Sequence, residues 1–152
     1  VMTVVQSLNT EKNKLKLAIP GGLIGVGTTL DPSLTRADRL SGQILGHFKK
    51  LPEIYLNIFV SFKLLKRLLG YSNKNKNFPE ILKNEILMVN IGSSSTGGKI
   101  IKKKNQIIEL KLTTPICCEF GDKVTLSKRI DKHWRLIGWG VFKGGKRFFN
   151  KN

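Results

Sequence analysis

The chain has 152 residues, with 27 Lys and Arg against 10 Asp and Glu, 40% hydrophobic residues and two cysteines. That apolar share excludes global disorder despite a formal charge of +17, because enough side chain can be buried to offset the entropy of ordering the backbone. No stretch reaches the ~18–20 consecutive apolar residues of a membrane-spanning helix; Leu17 to Gly27 is broken by Pro20 and by glycines, so a soluble, cytoplasmic protein with no membrane partner is expected.

In chain order, the first signals are punctuation. Gly21 to Gly27 is glycine-rich, and glycines there let a backbone turn sharply at a barrel corner. Asp31-Pro32 reads as a helix start, with an N-cap acceptor followed by proline at the first helical position, and Thr35 to Leu40 extends it by one or two turns. Leu51-Pro52 is the predicted boundary, dividing the chain into 1–52 and 53–152. From Ile54 to Phe62, alternate residues Ile54, Leu56, Ile58, Val60 and Phe62 share one face of a strand. Phe62 to Leu69 can also be read as a short amphipathic helix with Leu64, Leu65, Leu68 and Leu69 on one side, although eight residues do not hold a helix alone. Tyr71 to Pro79 reads as an exposed loop. Ile86 to Ile91 predicts a strand, Gly92 to Gly98 a flexible turn, and the lysine-rich stretch to Asn105 a long basic return leading into a strand over Ile107 to Leu112. Lys123 to Ile130 and Trp134 to Phe142 complete the strands.

The charge is uneven. Residues 1–52 carry seven basic and three acidic side chains, and residues 53–152 carry 20 and seven. A surface this positive attracts phosphate backbones, although Lys outnumbers Arg 21 to six, a bias that AT-rich coding alone also produces. The adjacent Cys117 and Cys118 cannot bridge without strain and have no partner at zinc-ligand spacing, which fits packing roles in a reducing compartment.

Two glycine motifs fall short of nucleotide sites. Gly140-Val141-Phe142-Lys143-Gly144-Gly145-Lys146-Arg147 has phosphate-loop spacing up to its lysine, but Arg147 stands where Ser or Thr would bind magnesium and no helix follows. A basic, flexible tail is the plainer reading. Gly21 to Thr28 lacks the Gly-x-Gly-x-x-Gly order. His47 and His133 have no evident nucleophile, and the carboxylates are scattered, so catalysis within these residues is not expected.

Several segments together resemble a known family. Pro20 to Thr28, Asp31-Pro32, Thr35-Arg36-Ala37-Asp38 and Gly42 to Gly46 resemble the late second domain of the gamma subunit of eukaryotic and archaeal translation initiation factor 2. Lys83 to Ser93, Thr96-Gly97-Gly98, and above all Lys132-His133-Trp134-Arg135-Leu136-Ile137-Gly138-Trp139-Gly140 resemble its third domain. The resemblance implies an all-β architecture like domains II and III of elongation factor Tu, the end of one β-barrel followed by a complete antiparallel β-barrel. It further implies a GTPase that, with alpha and beta subunits, delivers initiator methionyl-tRNA to the small ribosomal subunit. GTP and magnesium would belong to a first domain whose motifs these residues do not contain, leaving no cofactor here. Two readings of that remain open, a C-terminal part of a longer protein and a shortened gene product.

On this reading, the chain is a non-catalytic platform whose partners are initiator tRNA, small-subunit RNA and the other two subunits. Lys102, Lys103 and Lys104 on the return loop, with Lys128, Arg129, Lys132 and Arg135, are the candidate RNA-binding residues. Arg135, flanked by Trp134 and Leu136, also reads as a packed structural residue, and His133 and Trp139 read as structural. An independent RNA-binding barrel of the ribosomal-protein type is the alternative.

Overall fold

Strands make up nearly every regular element, as the period-two patterning requires. The computed structural model describes residues 1–66 and 80–148, and its contacts divide the chain into two units, Val1–Ser41 and Gly42–Asn152.

In the first unit, β1 (Val5–Thr10) lies between β2 (Asn13–Leu15) and β3 (Gly25–Thr28), all antiparallel. Leu8 is flanked by Leu15 on one side and Val26 on the other, a cross-strand apolar row that holds this small sheet together. The glycine-rich segment therefore enters a strand, with the sharp turn confined to Gly21 and Gly22 at φ 128° and 71°. The helix α1 (Pro32–Thr35) begins where Asp31-Pro32 predicted, with the Asp31 carboxylate accepting from Ser33 N at 2.7 Å. It stops before the predicted Thr35–Leu40 extension. Arg36 is extended at φ −79°, ψ 153°, and Ala37 and Asp38 take left-handed φ values of 54° and 56°, which end the helical hydrogen bonding.

The second unit is a closed, wholly antiparallel barrel of β4 (Ile54–Leu64), β5 (Ile86–Ile91), β6 (Ser94–Lys104), β7 (Ile107–Cys117), β8 (Lys123–Ile130) and β9 (His133–Arg147). Around the barrel the order is β4-β7-β6-β5-β8-β9. Its interior is aliphatic, with Ile58, Val60, Leu87, Val89, Ile100, Ile108, Leu110, Val124, Leu126, Ile137 and Phe142 sealed from solvent. Thr96 is the one buried polar side chain among the described residues; its hydroxyl donates to the Thr114 carbonyl and accepts from Thr114 N. Gly138 and Gly140 let β4 approach β9 closely, since a Cβ at Gly140 would sit 2.5 Å from Ser61 O.

Several boundaries differ from the sequence reading, each for a local reason. A β-bulge between Tyr55 and Asn57 turns Ile54 outward, so only Ile58, Val60 and Phe62 of the predicted face point inward. The flexible turn shrinks to Gly92 and Ser93, and the basic return is strand β6 itself, closed by a tight turn at Asn105-Gln106. Gly140 to Arg147 is neither a phosphate loop nor a flexible tail; it is strand, paired with β4 from Tyr55 to Phe62. Phe62 to Leu64 likewise belong to β4 rather than to a helix. Leu65 and Lys66 follow the strand without forming a helix, while Arg67 to Leu69 and the Tyr71–Pro79 loop lie outside the described residues. Among the described residues, no helix is long and apolar enough to cross a membrane.

Candidate nucleic-acid interface

Alternating strand direction around a closed barrel sends the ends of β4, β6 and β8 and the starts of β5, β7 and β9 to one rim. All seven residues nominated from the sequence are there. Lys102, Lys103 and Lys104 end β6, Lys128 and Arg129 end β8, Lys132 occupies the β8–β9 turn and Arg135 starts β9. Lys63, Lys66 and Lys83, which the sequence reading did not nominate, reach the same rim from the end of β4 and the approach to β5. The opposite rim carries Glu53, Glu119 and Asp122 together with Lys123, Lys146 and Arg147, the last 3.4 Å from Glu53, so its charges largely offset one another.

Each rim cation has a distinct environment. The Lys128 ammonium lies 2.7 Å from Glu85 Oε1 and donates to the Glu80 carbonyl at 3.0 Å, with only 19% of its side chain exposed. Arg135 pairs directly opposite Lys128 in the β8–β9 ladder and is half-buried, which matches the packed reading. Arg129 is exposed and faces Trp134 across the same ladder. Lys132 and Asp131 form a two-residue hairpin with φ of 67° and 49°, the positive values of a type I′ turn that follows the strand twist. Lys102, Lys103 and Lys104 are all exposed, Lys102 opposite Glu109 and the other two opposite Ile108 and Ile107. The exposed cations of this set are therefore Lys102, Lys103, Lys104, Arg129 and Lys132, whereas Lys128 is already committed to a carboxylate.

His133 and Trp139 do not serve as core. Both are exposed, Trp139 by 42%, because the bulge in the β8–β9 ladder gives the interior to Ile137, Gly138 and Gly140. The small residues on either side of Trp139 were the available signal.

The segment with phosphate-loop spacing is locked in β9, and among the described residues no three His, Cys, Asp or Glu side chains gather to hold an ion. Asp31 is held below the usual carboxylate range by its hydrogen bonds from Ser33, a cap rather than a reacting group. Burial pushes the thiols up, Cys118 to about 12, and Cys117 donates to the Pro52 carbonyl, so neither is an activated nucleophile.

The second unit is a small closed antiparallel barrel with exposed cations along one rim, a fold consistent with the third domain of elongation factor Tu-like proteins. The profile of the family described as "Initiation factor eIF2 gamma, C terminal" matches residues 56–142, and the chain belongs to that family. It is 52% identical over 149 residues to eukaryotic translation initiation factor 2 subunit gamma of Schizosaccharomyces pombe, covering 96% of this chain and 33% of that protein. It is 51% identical over 150 residues to eukaryotic translation initiation factor 2 subunit 3 of Drosophila melanogaster, covering 96% of this chain and 32% of that protein. The chain thus spans about a third of the length of these relatives.

Proposed function

We propose that these residues are the RNA- and subunit-binding platform of an initiation-factor gamma subunit, which in a heterotrimer with alpha and beta subunits delivers initiator methionyl-tRNA to the small ribosomal subunit in a GTP-dependent manner. The observation that carries this is the cationic rim, where three exposed lysines at the end of β6 converge with Arg129 and Lys132 on the β8–β9 hairpin. Such a rim grips phosphates without reading sequence, and positions a factor on folded RNA. On this reading GTP and magnesium are handled by the family's GTP-binding domain. Family membership supports the translational role, and the exposed cations support RNA as the direct partner.

The test is binding of the 152-residue chain to initiator tRNA and to small-subunit RNA fragments across a salt series. Affinity should fall steeply with salt, and alanine at Lys102, Lys103 and Lys104 should flatten the slope. Absence of binding at low ionic strength would refute the platform.

A further inference from the structure

We propose a second contact surface on the barrel's outer wall, where β8, β9 and β4 take a single-stranded stretch of RNA by stacking its bases on tryptophan. This rests on RNA being a partner of the chain, and it concerns the wall that runs down from the rim cations Arg129 and Lys63.

Trp134, Leu136 and Trp139 stand in a line on the outer face of β9, 45%, 43% and 42% exposed. Water-exposed rings of this size are costly to leave uncovered. Trp134 sits opposite Arg129, Leu136 opposite Ser127, and Trp139 between Lys63 on β4 and Thr125 on β8. The ammonium groups of Lys63 and Lys123 each lie 5.7 Å from the Trp139 ring centroid, so two cations gather at this ring; a base stacking there takes the place of an ammonium, which then meets the adjoining phosphate. Together β4, β8 and β9 carry eight Lys and Arg and no Asp or Glu of their own, with Lys128 and Arg147 paired to Glu85 and Glu53 from outside these strands.

This combination selects its ligand. The excess of cations calls for a polyanion, and the exposed rings call for flat apolar faces within it. Unpaired nucleic acid has both, because its bases can leave the stack and lie on an aromatic ring while its phosphates meet the flanking cations. Duplex RNA supplies the charge but hides its base faces, and an acidic peptide supplies charge without rings. The strand rise of about 3.3 Å per residue spreads Trp134 and Trp139 far enough apart for more than one nucleotide.

Trp134 and Trp139 are the chain's two tryptophans, so intrinsic fluorescence reports on this wall alone. The full chain is titrated with single-stranded oligouridylate, with duplex RNA of equal phosphate number, and with polyglutamate, while anisotropy of labelled ligand reports binding separately. Oligouridylate should quench the tryptophans, and Trp134→Ala should weaken its binding about five- to hundredfold, with Trp139→Phe weakening it less and circular dichroism unchanged in both. Oligouridylate binding without quenching, equal quenching by duplex RNA or polyglutamate, or unchanged affinity in Trp134→Ala overturns the wall site and leaves the rim intact. No binding of any RNA overturns both.

Discussion

Lys128 Nζ lies 2.7 Å from Glu85 Oε1, while the second oxygen of Glu85 accepts from Leu82 N at 3.2 Å. One carboxylate thus ties the end of β8 to the approach to β5, with both side chains about four-fifths buried. This pair belongs to the architecture of the rim. Lys128→Ala should cost about 1–2 kcal/mol and lower the melting temperature, while leaving the salt slope of RNA binding unchanged. A slope reduced as much as by Arg129→Ala would return Lys128 to the phosphate-binding set.

The exposed rim cations should behave in the opposite way. Lys102→Ala, Lys103→Ala and Lys104→Ala should each reduce the log-log salt slope by about 0.7–0.9 and leave stability within about 0.5 kcal/mol. Filter binding at four or five salt concentrations, paired with thermal melts, checks both halves.

At the β4–β9 seam, Gly140→Ala places a methyl against Ser61 O and Val60 Cγ1, each at 2.5 Å. Neither the backbone carbonyl nor a sealed core valine can give way, so the seam must open. A loss of about 2–3 kcal/mol is expected, seen as a fall of about 4–8 °C in melting temperature per kcal/mol. A variant melting like the parent would mean that the two strands are less tightly apposed.

Much of this fold was legible because strand alternation is a local property. Val60 and Phe62, or Val124 and Leu126, announce their inward face within a few residues. Bulges are not local: the slip at Tyr55–Asn57 that turned Ile54 outward depends on how β4 meets β7 and β9. The short sheet of β1, β2 and β3 was missed because its apolar row takes one residue from each strand, Leu8, Leu15 and Val26. For the site, runs such as Lys102 to Lys104 stood out in the sequence. The partners that distinguish Lys128 from Arg129 come from distant positions and required the folded barrel.

The thiols give a pH prediction. Burial, first, raises both cysteines, Cys118 to about 12; the carboxylate of Asp122 adds to it at both, and those of Glu119 and Glu53 at Cys117. The native state therefore keeps protons that the unfolded state gives up, since an unfolded thiol ionises near pH 8.5. Stability should be intact below that pH and decline as pH rises toward about 12. Cys118→Ala, if folded, should flatten the alkaline decline. Maleimide should label Cys118 only on unfolding, and prompt labelling of the native Cys117→Ser chain at pH 7.5 would contradict its burial.

The ring of six strands hydrogen-bonds to itself all the way round. A partner consequently finds no row of vacant amides or carbonyls on the barrel wall along which to lay an extra strand. Whatever docks there must recognise side chains, and specificity can be retuned one residue at a time without disturbing the backbone that displays them.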